Sequence, residues 1–159
     1  MMLPKKVLTL EKAVTLVEHL RHDGRIVAFT NGVFDLLHPG HIRYLQDARS
    51  EGDALIVGVN SDRSVTAIKG PSRPITPERE RAEVLAALAC VTAVVLFDED
   101  DPQRIIQRLQ PDVLVKGADW AADRIIGRDT VEALGGRVVR IPLAEGHSTS
   151  DIIRKIRKG

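Results

Sequence analysis

Ile26-Val27-Ala28-Phe29-Thr30-Asn31-Gly32-Val33-Phe34-Asp35-Leu36-Leu37-His38-Pro39-Gly40-His41 decides the fold. A continuous apolar run ends in a polar, glycine-bearing loop. The loop then meets Pro39, a residue favoured at the first turn of a helix. Behind it Ile42, Leu45 and Ala48 fall three apart, on one helix face. A buried strand, a loop and a helix start make the first half of a βαβ unit.

Four more runs resemble the first: Ala54–Val59, Thr92–Phe97, Asp112–Val115 and Arg137–Ile141. They are mostly continuous rather than alternating, as expected for parallel strands covered on both faces. Helical patterns lie between them. Thr76-Pro77 reads as an N-cap and first helical residue ahead of Ala82, Leu85, Leu88 and Ala89. Asp101-Pro102 repeats that signal before Ile105, Ile106 and Leu109. A helix is predicted over residues 129–134, closed by Gly135-Gly136. Ser148 and Asp151 have capping-box spacing, with Ile152, Ile153 and Ile156 following on a helical face. An opening helix spans residues 10–22 and stops before Gly24.

The order α-βαβαβαβαβ-α predicts a doubly wound, Rossmann-like α/β fold: a five-stranded parallel sheet with helices on both faces. One domain is expected over residues 1–159, with the helical segment 1–24 packed on a core of 25–157.

Composition narrows the function classes. Of 159 residues, 43% are hydrophobic and 28% charged, which permits a packed core and excludes wholesale disorder. Aromatics are only 3%, so the core is built from Val, Leu, Ile and Ala. Lys plus Arg number 23 against 22 Asp plus Glu, a net charge of +1. That balance argues against a nucleic-acid binder. The single cysteine, Cys90, cannot form an internal disulfide and suits a reducing compartment. No apolar run approaches the roughly 18–20 residues needed to span a bilayer. Glu11 interrupts where a signal-peptide core would lie, so neither membrane nor signal peptide is expected, and a cytoplasmic location is.

In such a sheet ligands bind beyond the carboxyl ends of the strands, where strand order reverses. Polar, charged and glycine residues gather at those ends: 31–41 after the first run, Asn60-Ser61-Asp62 and 69–74 after the second, 116–120 after the fourth, and 145–149 after the fifth. His38 and His41 flank Pro39-Gly40 at a helix start. Free N–H groups and the helix dipole make an anion site there, and two imidazoles add donors. Zinc is disfavoured because no second cysteine or suitably spaced carboxylate accompanies the histidines. The acidic run 98–101 reads as a solvated turn with a cap, so no metal site is expected from protein side chains.

The segment 30–41 resembles the signature of the HxGH nucleotidyltransferases, the cytidylyltransferase-like superfamily. The resemblance extends from about Arg25 to Arg157, through Gly58-Val59-Asn60-Ser61-Asp62, Lys69-Gly70, Arg73-Pro74-Ile75, Arg79-Glu80-Arg81, Asp112-Val113-Leu114-Val115-Lys116-Gly117 and Glu145-Gly146-His147-Ser148-Thr149. The last two segments are most similar to the heptose 1-phosphate adenylyltransferase branch, and a stand-alone form of it is expected. Three residues depart from that branch: Ala118 for a second glycine, His147 for a cysteine or small apolar residue, and Ser150 for threonine.

The resemblance implies transfer of AMP from ATP to a sugar 1-phosphate, giving ADP-heptose and pyrophosphate for lipopolysaccharide or capsule heptose supply. Mg²⁺ is implied as a companion of ATP, and a homo-oligomer is expected. It further implies that His38, His41, Lys69 and Arg81 carry the chemistry, Lys69 as a mobile cation on a flexible stretch and Arg81 as a phosphate clamp. Nucleotide contacts fall to Thr30, Asn31, Gly32, Val33, Phe34, Gly40, Val115, Lys116, Gly117, Asp119, Trp120, Glu145, Ser148 and Thr149. Asp35, Asn60, Asp62 and Arg73 are expected on the acceptor side. Two other readings stay open: a cytidylyltransferase acting on glycerol 3-phosphate or a similar phosphoalcohol, and a non-catalytic nucleotide-binding module.

Overall fold

The apolar runs become strands because their alternate side chains find two separate cores. A computed structural model describes residues 4–159. Its elements in chain order are β1 (Val7–Leu8), α1 (Leu10–His22), β2 (Val27–Gly32), α2 (Pro39–Ser50), β3 (Ala54–Asn60), α3 (Asp62–Lys69), α4 (Glu78–Ala86), β4 (Ala93–Phe97), α5 (Gln103–Leu109), β5 (Val113–Gly117), a 3₁₀ turn (Ala122–Arg124), α6 (Arg128–Ala133), β6 (Arg137–Ile141) and α7 (Thr149–Lys158).

Val27, Phe29, Ile56, Val95 and Leu114 face one side of the sheet, against Ala13 and Val17 of α1, Ile105 and Ile106 of α5 and Val131 of α6. Ala28, Leu55, Val57, Val94 and Val115 face the other, against Leu45 and Ala48 of α2 and Ala82 and Leu85 of α4. Both cores are aliphatic-rich, and Phe29 is their largest fully buried apolar side chain.

The sheet is parallel throughout, in the order β1-β4-β3-β2-β5-β6. The chain winds outward from β2 through β3 to β4, then returns to β2's other side for β5 and β6. Strand order therefore reverses between β2 and β5, and a crevice opens at their carboxyl ends.

Three expectations are corrected. The sheet has six strands among the described residues rather than five. The extra strand, β1, is only two residues long and pairs with β4 at the edge, too short to register as an apolar run. Lys6 anchors it, its Nζ donating to the carbonyls of Leu88 (3.0 Å) and Val91 (2.8 Å). Residues 62–69 form helix α3, so Lys69 ends a helix rather than riding a flexible loop. Ser61 caps that helix by accepting the Ser64 N–H at 3.1 Å. Finally, α4 starts at Glu78 with Pro77 outside it and ends at Ala86, so Leu88 and Ala89 lie beyond the helix. Of the expected 1–24 segment, the first three positions lie outside the described residues.

Gly58 in β3 makes room for the aromatic centre of the first core. A Cβ at that position would stand 2.9 Å from the Phe29 ring and 3.3 Å from the Asn31 Cβ. Gly58→Ala is expected to cost about 1–3 kcal/mol through overpacking. Urea unfolding monitored by circular dichroism measures it, and unchanged stability would mean that the Phe29 ring yields freely.

Candidate active site

Five strand ends converge on a cleft of about 590 Å³ beside the β2–β5 reversal. Its walls come from the loop after β2, the carboxyl ends of β3 and β5, the loop before α5, and the segment entering α7.

His38 is the N-cap of α2 and accepts the His41 N–H on its Nδ1 at 3.4 Å. An imidazole accepting through Nδ1 carries its proton on Nε2. Pro39 follows at the first helical position, where its missing N–H costs nothing. The rings of His38 and His41 stack at 3.8 Å with a 22° tilt. Phe34, in the left-handed region at φ 50°, sets its ring edge-on to His41 at 5.5 Å. The buried Nδ1 of His41 has no hydrogen-bond partner among the described residues. An orphaned buried nitrogen is costly unless a ligand satisfies it.

Burial and then the neighbouring His38 push the His41 pKa down to about 4, against the opposing pull of the Leu36 carbonyl. His38 is lowered too, by burial and by His147. Both pKa values lie below the ordinary 6.5, so the two rings are chiefly neutral at pH 7.

The β5 end brings Lys116, whose ammonium donates to Asn31 Oδ1 at 2.5 Å and lies 5.7 Å from the Trp120 ring centre. Burial lowers its pKa to about 8, although Asp119 acts the other way. Beneath them the Tyr44 hydroxyl lies 2.8 Å from Thr30 Oγ1 and donates to the Val115 carbonyl at 3.2 Å. Burial raises this phenol to about 12; Thr30 opposes the rise and Asp119 adds to it. Tyr44 thus holds β2 to β5 as a neutral crosslink.

Asp35 fastens a second wall. Its carboxylate accepts Arg73 Nε at 2.6 Å and the backbone N–H groups of Ile75 and Thr76 at 2.8–3.0 Å. Burial opposes its charge, but the Thr76 and Ile75 N–H groups and then Arg73 outweigh burial and keep the carboxyl below its ordinary value of 3.8. The 73–76 segment is thereby strapped over the loop that follows β2.

Of the expected residues, His38, His41, Lys69, Asn31, Gly32, Val33, Phe34, Gly40, Lys116, Gly117, Asp119, Trp120, Ser148, Thr149, Asp35, Asn60 and Arg73 line the cleft. Thr30 and Val115 do not; both are fully buried in strands behind it. Asp62 and Glu145 are also off the lining. Arg81 needs the largest correction. It is 2% exposed, and its guanidinium donates to the carbonyls of Thr76 (2.9 Å) and Val33 (2.7 Å) and to Asp62 (2.8 Å). Each guanidinium nitrogen thus has a protein partner, and the buried side chain braces the wall of the cleft without lining it. Lining residues that sequence reasoning passed over are Tyr44, Ile68, Ile126, Leu143, Ala144, Asp100, Asp101 and Pro102. Only Asp100-Asp101-Pro102 carried a signal, the acidic run beyond β4.

Arg81→Ala is expected to destabilise the fold by roughly 2–4 kcal/mol, since it strands two carbonyls and empties a packed volume. A variant with wild-type melting behaviour would overturn the bracing role. For Asp35, the depressed folded-state pKa means that its contribution holds above about pH 4 and fades as pH falls through the folded value. The stability gap between wild type and Asp35→Asn, followed by urea titration from pH 7 downward, is expected to shrink below pH 4.

Comparison with known proteins matches residues 29–155 to the family model described as cytidylyltransferase-like. A bifunctional protein HldE of Geotalea uraniireducens is 51% identical over 154 residues, covering 97% of this chain and 31% of that protein. The chain thus spans under a third of the curated relatives it matches. A crystal structure of a lipopolysaccharide core biosynthesis protein from Thermoplasma volcanium is 31% identical with a TM-score of 0.64, over 78% of this chain and 100% of that one. A pantothenate synthetase from Thermus thermophilus, 17% identical over 96% of this chain and 69% of its own, shares the fold alone with a TM-score of 0.66.

Proposed function

The chain belongs to the cytidylyltransferase-like family, and from that premise we propose that it is an adenylyltransferase moving AMP from ATP to D-glycero-β-D-manno-heptose 1-phosphate. The observation that carries this reading is the stacked pair His38 and His41 at the start of α2, its buried nitrogen unpartnered, at the reversal point of the sheet. Kinship with proteins named HldE and with a lipopolysaccharide core biosynthesis protein supports the heptose acceptor.

The chemistry suits the residues. A phosphate attacks the α-phosphorus of a triphosphate, and the bond to the β-phosphate oxygen breaks with its electron pair, releasing pyrophosphate. The attacking oxygen is already anionic, so no base and no covalent intermediate are required. What the step demands is alignment of two repelling anions and neutralisation of charge around phosphorus. His38 and His41 donate to the α-phosphate, with the α2 N-terminus behind them. Lys69 closes on the phosphates from the end of α3. Lys116 and Trp120 border the nucleoside, while Asn60 and Arg73 meet the acceptor.

Among the described residues no cluster of three or more His, Cys, Asp or Glu is arranged to cage a cation. In this reading Mg²⁺ comes with the triphosphate, held by phosphate oxygens and water, and supplies neutralisation of the phosphate tail. A cytoplasmic homo-oligomer built on a single domain completes the proposal. Among the described residues no helix is long and apolar enough to cross a membrane.

The test is a panel of ATP, CTP, GTP and UTP against heptose 1-phosphate and glycerol 3-phosphate, with pyrophosphate release and product mass as readouts. ATP with the heptose phosphate is the expected pair; turnover of CTP with glycerol 3-phosphate would replace this reading. His41→Ala is expected to lower kcat by about 10²–10³-fold, the size of one lost transition-state donor, without changing the melting temperature.

A further inference from the structure

His147 sits just before the N-cap of the ten-residue helix α7. Its ring lies 6.0 Å from that of His38 and is tilted by only 18°, while His38 stacks on His41 on its own loop. Three near-parallel imidazoles, drawn from two separate loops, therefore form one column. It runs from the buried nitrogen of His41, past half-buried His38, to exposed His147.

The fold builds this approach. Gly40 occupies the seam between the loops, where a Cβ would stand 2.9 Å from the His38 ring and 3.1 Å from the His147 Cβ. The Thr149 hydroxyl donates to the Leu36 carbonyl at 3.2 Å, pinning the start of α7 to the turn ahead of His38. His147, Ser148, Thr149 and Ser150 line the same cleft as the other two imidazoles.

We propose that His147 is a binding residue for the terminal phosphates of the nucleoside triphosphate, the portion that departs as pyrophosphate. The inference rests on the nucleotidyl-transfer reading and assigns the outer half of the phosphate path, which that reading leaves open. The α-phosphorus belongs at the inner end of the column, where nucleoside and acceptor walls meet. The β- and γ-phosphates then extend outward, because the leaving group lies opposite the attacking oxygen and must exit to solvent. At the outer end they meet an imidazole and the free N–H groups opening α7. The ring presents an N–H donor to the phosphate oxygens where the anionic charge is densest. No proton need be transferred: the departing pyrophosphate takes the electron pair of the broken bond, and His147 only donates a hydrogen bond.

The experiment measures Mg²⁺-supplemented ATP, AMP and pyrophosphate binding by calorimetry to wild type, His147→Ala and His147→Lys. His147→Ala is expected to lose roughly tenfold in affinity for ATP and pyrophosphate, the effect of one charge-assisted hydrogen bond, and to bind AMP unchanged. His147→Lys is expected to recover most of the loss. Unchanged ATP affinity, or an equal loss for AMP and ATP, would overturn the assignment. The acceptor reading is judged separately by wild-type turnover with heptose 1-phosphate. If turnover fails while the ATP-over-AMP pattern holds, that reading falls alone; if turnover succeeds and His147→Ala is indifferent to ATP, this inference falls alone.

Discussion

Strand β2 is held on both edges, and that two-sided pairing organises the cleft. Its six residues run in register with β3 from Val27 opposite Ala54 to Gly32 opposite Val59, and Ala28 and Phe29 pair with β5 on the other side. Val27–Thr30 are buried, and pairing with β3 continues through Asn31 opposite Gly58 to the strand's last residue. Its carboxyl end therefore cannot move independently of its neighbours. The loops leaving β2, β3 and β5 are delivered to one rim, and the Tyr44 hydroxyl repeats the constraint by bridging Thr30 and Val115. Imidazoles, the buried ammonium and the carboxamide of Asn60 are brought together by backbone geometry before any of them interact.

The sheet and its winding were legible because they follow from periodicity and burial, which are local properties of the chain. Apolar runs marked the five longer strands, and the proline and hydroxyl caps marked most helices. The elements that escaped are those whose stability is not local. The two residues of β1 form a strand only because the edge of β4 is waiting for them. Helix α3 buries only Ser64 and Val65 and reads as polar; it depends on the Ser61 cap and on Glu78 accepting the Asp62 N–H at 2.7 Å.

At the cleft, much of the lining was legible in loops that follow strands, since sheet topology dictates where they emerge. What the sequence could not convey is the direction of a long side chain. Arg81 lies in the first turns of α4, where the resemblance implies a phosphate clamp, yet its guanidinium turns inward to two carbonyls and Asp62. Asp35 is similar: its spacing says loop, and only folding shows it collecting Arg73 and two N–H groups from residues about 40 positions later. Tyr44 and Leu143 left no motif because their place in the lining arises from tertiary packing alone.

The neutrality of the stacked His38–His41 pair has a thermodynamic consequence. Stacked rings avoid mutual repulsion only while unprotonated, and burial with their own proximity keeps His41 and His38 so. Under the proposed function, a polyanion seated against them would oppose that preference and draw hydrogen ions from the solution as it docks. The heat released on docking then includes the ionisation enthalpy of whichever buffer surrenders those ions. On that reading, buffers of different ionisation enthalpy give different apparent enthalpies for the same contacts.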